Sequence, residues 1–160
     1  MRNESGPRAA VWATTICLLA AAFEATISGQ NVASRFARLT TPSVSPPFWG
    51  WCVIGVAYYV VCFVVLYRLI GHGKPGGWRR VTLGLAVALM LTNAVWNWAF
   101  FGAHGRLLAL VLLVPYNEMA LALLLAAARV DRVAQLAFLP YSIFLIYADY
   151  WALAVWRLNS

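Results

Sequence analysis

Glu24, Glu118 and Asp149 are the residues of this chain best suited to chemistry. Each interrupts a long apolar run, and together they are three of the five acids in the sequence; Glu4 and Asp131 lie in polar flanks. A carboxyl group in hydrocarbon costs at least ~2.5–3.5 kcal/mol, so it normally faces a bundle interior or a wet cavity. Three such groups predict that the chain encloses something. A buried acid held neutral can donate a proton, and an ionised neighbour can stabilise a cation or accept a proton. In that reading Asp149 or Glu118 is the acid and Glu24 a stabiliser.

The polar neighbours fit the same idea. Asn93, Trp96, Asn97 and Phe100 recur at i, i+3, i+4 and i+7, which is one helix face. Tyr141, Leu145, Ala148 and Asp149 form a second stripe, with Asn117 beside Glu118 and the pair Tyr58-Tyr59 midway along another run. Mixed aromatic and polar faces are typical of ligand pockets. Trp96, Tyr58, Tyr59 and Tyr141 would also stabilise positive charge through their ring faces. The structural alternative makes the Asn side chains interhelical glue, worth ~0.6–2 kcal/mol each. No Lys or Arg lies deep within an apolar run to pair with the acids, so Asn and Tyr are their expected partners.

The elements that must position these groups are membrane helices. The 160 residues are 63% apolar and 11% charged, against roughly 45–50% and ~25% in a soluble domain. A hydrocarbon core ~30 Å thick needs ~20 apolar residues per helix. Five segments meet this length: 9–29, 47–70, 81–102, 107–128 and 133–156. The chain therefore reads as an all-α integral membrane protein, one five-helix transmembrane domain over residues 1–160, with the loop 30–46 as a lid. The first segment also has signal-peptide features, Arg2 and Arg8 before an apolar run containing Ala20-Ala21-Ala22. The run continues past those small residues, which favours a retained helix.

Basic residues set the expected orientation. Arg2, Arg8, Arg68, Lys74, Arg79, Arg80, Arg129 and Arg132 share one side; Arg35, Arg38, Arg106 and Arg157 share the other. The richer side is cytoplasmic by the positive-inside rule, which places the N-terminus in the cytoplasm and the C-terminus outside, in a bacterial cell membrane. Membrane topology accounts for the net charge of +7 without a nucleic-acid partner. Cys17, Cys52 and Cys62 lie in apolar runs and read as small hydrophobes. His72 and His104 fall in turns with no second ligand at helical spacing, so no metal is expected. Trp12, Trp78 and Trp156 lie near span ends, as belt residues do, while Trp49 and Trp51 suit either belt or lid.

Three motifs resemble one known family. Pro42-x-x-x-Pro46-Pro47-x-Trp49 followed by Tyr59, Asn93-x-x-Trp96-x-x-x-Phe100-Phe101-Gly102, and Pro140-Tyr141 with Arg157-Leu158-Asn159 occur in order. Together they are similar to the loop, third-helix and fifth-helix patterns of the tryptophan-rich sensory protein/translocator protein family, TspO/MBR. The resemblance implies a five-helix bundle, often a homodimer, with a hydrophobic pocket under the first loop for porphyrins, sterols or related ligands. It assigns Pro47, Trp49, Tyr59, Asn93, Trp96, Phe100 and Tyr141 to that pocket or loop. The chain departs from the pattern with Ser43-Val44 in place of a Trp pair, and with Gly55 and Phe144 where pocket tryptophans are usual. The family pattern does not require the three buried acids.

Two functions are therefore expected to compete. One is binding of a hydrophobic porphyrin, sterol or isoprenoid, with Trp49, Tyr58, Tyr59, Asn93, Trp96, Asn97, Phe100, Asn117, Tyr141 and Phe144 as ligand contacts. The other is a cofactor-free, terpene cyclase-like enzyme using Glu24, Glu118 and Asp149 for cyclisation, isomerisation or epoxide opening of an isoprenoid. Convergence of the three carboxyls on one cavity separates them.

Overall fold

The computed structural model describes residues 5–29, 31–103 and 105–160. Arg2, Glu4, Gln30 and His104 lie outside the described residues. The chain runs through α1 (Ser5–Ser28), α2 (Val32–Phe36), α3 (Phe48–Gly71), α4 (Gly77–Asn97), a π turn (Trp98–Gly102), α5 (Arg106–Val130) and α6 (Arg132–Leu158). Five of these stretches are long and apolar enough to cross a membrane: Gly6–Ser28, Phe48–Gly71, Gly77–Gly102, Arg106–Val130 and Arg132–Leu158. The protein is thus an all-α, five-helix membrane protein. Several helices start earlier than their apolar runs. α4 takes in Trp78, Arg79 and Arg80, because apolarity marks the hydrocarbon zone and not the helix end.

The long helices close into a ring. α1 packs on α3, α3 on α6, α6 on α5, α5 on α4, and α4 back on α1. Lipid offers no hydrophobic force between helices, so small residues that permit close backbone approach do the packing. Ala13, Ala86, Ala94, Ala99, Ala109, Ala120, Ala127, Ala134 and Ala152 are all buried. Large side chains fill the lower half. Val65, Leu66 and Leu69 of α3 meet Leu89 and Met90 of α4, Leu123 of α5 and Phe138 of α6. A second apolar cluster sits at the other end, around Phe100, Leu113, Trp151 and Val155.

The two ends are fastened differently. At the end that carries the α5–α6 connection, Arg68 donates a forked pair of hydrogen bonds to Asp131, 3.3 Å to Oδ1 and 2.9 Å to Oδ2. Asp131 also caps α6 by accepting from the Ala134 backbone N–H at 2.8 Å. At the opposite end the first loop is tied to the last helix. Asn159 accepts from the Thr40 N–H at 3.0 Å and donates to the Thr40 carbonyl at 2.9 Å. Tyr147 donates to the Val44 carbonyl at 2.9 Å, and Trp151 Nε1 to Ser45 Oγ at 2.9 Å.

The π turn closes this end of α4. Its wider spiral lets the Ala103 N–H reach the Trp98 carbonyl at 2.8 Å. Gly102 is required by close approach: a Cβ there would lie 2.8 Å from Trp98 Cδ1 and 3.2 Å from the Ile27 carbonyl oxygen. Arg35 of the lid segment donates to the Gly102 carbonyl at 3.3 Å, joining loop to turn.

Candidate functional site

Between the two packed clusters lies a cavity of about 320 Å³. Its lower wall is Tyr58, Tyr116, Tyr141 and Leu145, and its upper wall is Trp51, Trp96, Leu113 and Trp151. Val32 and Phe36 of the first loop line it too. Phe36 stacks on Trp151 with ring centroids 6.4 Å apart, so the lid rests on an aromatic floor. The lining is mostly apolar, and its one acid among the described residues is Glu24.

Glu24 is held by three donors from two helices. The Tyr59 hydroxyl donates to Oε2 at 2.9 Å, Asn93 Nδ2 to Oε2 at 2.8 Å, and Asn97 Nδ2 to Oε1 at 3.1 Å. Asn97 also donates to the Asn93 carbonyl at 3.1 Å, which fixes its rotamer. The four-residue spacing of the two amides stacks them on one face of α4, opposite α1. The site is therefore assembled by α1, α3 and α4, and walled by α5 and α6.

The other two acids go elsewhere, so the expectation that all three enclose one site does not hold. Glu118 is exposed on the outward face of α5, in a row with Val111, Val114, Leu121 and Leu125, each more than half exposed. A helix turns 100° per residue, so Tyr116, two positions earlier, faces the interior and Glu118 faces out. Asp149 is half-buried at the α5–α6 seam, and it does not line the cavity. Asn117 Nδ2 donates to its two oxygens at 3.0 and 2.9 Å. Asp149 falls at the edge of the α6 stripe whose centre, Tyr141, Leu145 and Ala148, does face the cavity.

The remaining expected contacts divide as follows. Tyr58, Tyr59, Asn93, Trp96, Asn97, Tyr141 and Phe144 line the cavity. Asn117 serves Asp149 instead. Phe100 is buried one layer back, stacked on Trp96 at 5.2 Å. Trp49 is 69% exposed and points away, while Trp51, two residues on, enters the cavity. Trp151, Tyr116 and Phe36 were missed by the sequence reading. The signal for Trp151 was present, since it continues the Tyr141–Phe144–Ala148 stripe by one more turn. Cys52 lines the cavity rim and is exposed, unlike Cys17 and Cys62, which are buried.

The family model described as the TspO/MBR family matches residues 13–157. The chain belongs to the TspO/MBR family. Among curated TspO/MBR relatives it is 25% identical over 148 residues to the "Tryptophan-rich protein TspO" of Chlorobaculum tepidum, covering 90% of this chain and 91% of that one. It is 30% identical over 147 residues to the "Translocator protein" of Sus scrofa, with 84% and 82% covered. It is 31% identical over 121 residues to "Protein CrtK" of Rhodobacter capsulatus, with 76% of each chain covered. The TspO/MBR match covers part or all of each of the five long helices and the loop that roofs the cavity.

Proposed function

We propose that the protein binds a hydrophobic small molecule of the porphyrin, sterol or isoprenoid class in the cavity beneath the first loop. The observation that carries this reading is the cavity itself. It has about 320 Å³ of space, within the ~300–1,000 Å³ range of ligand pockets. It combines aromatic walls with a few convergent polar groups, and a segment anchored by Thr40, Val44 and Ser45 covers it. The same proposal includes a bacterial cell membrane, a cytoplasmic N-terminus and a homodimer. The enzyme reading divides its labour between two carboxyls in one cavity. Only Glu24 lines this one among the described residues, so binding is the better supported function.

The test is titration of the purified protein in lipid nanodiscs with protoporphyrin and with retinol, read by energy transfer from tryptophan. Saturable binding in excess of empty nanodiscs is expected for at least one of them. Gly55 lines the cavity, and a Cβ placed there meets nothing within 4 Å. Gly55→Leu should therefore fill space and weaken binding about tenfold or more, the equivalent of ~1.4 kcal/mol. Non-saturable uptake equal to that of empty nanodiscs, unchanged by Gly55→Leu, sinks the proposal.

A further inference from the structure

Among the described residues, Glu24 has no charged partner where a ligand would sit, and those lining the cavity include no Lys, Arg or His. Its three hydrogen-bond partners are neutral groups, and all of them donate. An ionised carboxylate accepts at about four lone-pair positions, so this donor set suits the anion and leaves one position open. The open position belongs to Oε1, which receives only Asn97, whereas Oε2 receives both Tyr59 and Asn93.

A second observation points to a missing occupant. Among the described residues, Trp51 Nε1, Trp96 Nε1 and the Tyr58 hydroxyl are buried without a hydrogen-bond partner, and all three residues line this cavity. Tyr58 is only 5% exposed. Buried polar atoms of this kind are normally satisfied, so a cavity with three of them has a polar edge awaiting a molecule. Indole N–H groups donate only, which adds a place for an acceptor atom on the same ligand.

We infer that the ligand carries a cationic nitrogen that binds Glu24, on an otherwise apolar skeleton. This rests on the proposed binding function and narrows its ligand class. A neutral hydroxyl would fill the open position and leave a net negative charge in a low-dielectric site. An ammonium group fills the position and neutralises the charge as well. The walls favour the same choice, because the rings of Tyr58, Tyr59, Trp96 and Tyr141 line the same cavity as Glu24. Glu24 is also four residues from the end of α1, so an ammonium head enters beside the lid without crossing the hydrocarbon centre.

The experiment compares retinylamine, retinol and N-acetylretinylamine on the full-length protein in zwitterionic nanodiscs at neutral pH, with empty nanodiscs subtracted. The amine should bind at least about tenfold more tightly than the alcohol. The acetylated amine keeps the nitrogen without its charge and should bind like the alcohol. Glu24→Gln should remove the preference for the amine over the alcohol. Equal affinity for amine and alcohol in the wild type overturns the inference and leaves the binding function standing. An amine preference that survives in Glu24→Gln, or one shared by the acetylated amine, also overturns it. If none of the three binds, and protoporphyrin does not bind either, the binding function falls with it. The ligand series alone decides the matter should Glu24→Gln fail to fold.

Discussion

Trp49 and Trp51 have the same chemistry and opposite fates. Both follow the Pro46-Pro47 pair at the start of α3, and two residues of helix separate them by 200°. Trp51 packs on Trp151 at 4.5 Å and on Tyr147 at 6.4 Å at the cavity's edge, while Trp49 faces outward. Trp51→Ala is expected to weaken ligand affinity by about tenfold or more, as loss of a buried aromatic anchor does, and Trp49→Ala by less than about twofold. Titration of both variants with the same ligand checks this, and equal losses would show that the cavity wall is wrongly drawn. The motif in the sequence singles out Trp49, because motif positions record residue type and not direction. Direction depends on where the helix starts, which the sequence leaves open by a residue or two.

The elements are held at their ends, and each end has its own sensitivity. Asp131 joins α5 to α6 in a one-residue connection and lies outside the membrane spans. Burial raises its pKa, but the Arg68 hydrogen bonds, the Ala134 N–H and the Arg68 charge outweigh that and hold it below its usual 3.8. A carboxyl with a depressed folded pKa contributes stability that is present above its unfolded value and lost as pH falls through the folded one. The thermal midpoint of the wild type should therefore exceed that of Asp131→Asn at neutral pH, and the gap should narrow below about pH 4. A gap independent of pH down to about 2 would rule out the ion pair as its source. At the opposite end, Gly102→Ala sets a methyl 2.8 Å from the Trp98 ring and 3.2 Å from the Ile27 carbonyl. The ring or the π turn must shift, and a loss of about 1–3 kcal/mol is expected, as for overpacking. Thermal unfolding in detergent measures it.

At the scale of the whole molecule, the ring of five helices sorts the polar groups into interior, seam and lipid. Glu24 faces the interior, Asp149 the α5–α6 seam with Asn117, and Glu118 the outside. An exposed carboxyl in the middle of a lipid-facing row is unfavourable by at least ~2.5 kcal/mol on insertion scales. Glu118→Leu is expected to raise the thermal midpoint of the protein in liposomes and to change ligand affinity by less than about twofold. Loss of binding in that variant would mean that Glu118 reaches the ligand, contrary to its position. Orientation is a property of the same scale. Cysteine accessibility at position 74 should report the cytoplasmic face, and at position 38 the outer face, following the excess of basic residues on the first.

The sequence by itself determined the solvent and the class of fold. Apolar runs of membrane length admit only helices here, because every backbone N–H must be satisfied within its own segment. It also determined half of the site: Asn93, Trp96 and Asn97 share a face by spacing alone, since i, i+3 and i+4 coincide on any α-helix. Only the tertiary structure decided which helix those residues would meet. The pairing of Asn93 and Asn97 with Glu24, 69 and 73 positions away along the chain, depends on α1 closing the ring against α4. The fate of the acids was decided there as well. Three carboxyls in apolar runs look alike in sequence, because one apolar run does not reveal which of its faces is covered. Packing turned one of them toward the cavity, gave the second an amide partner, and left the third exposed on the outer face of α5.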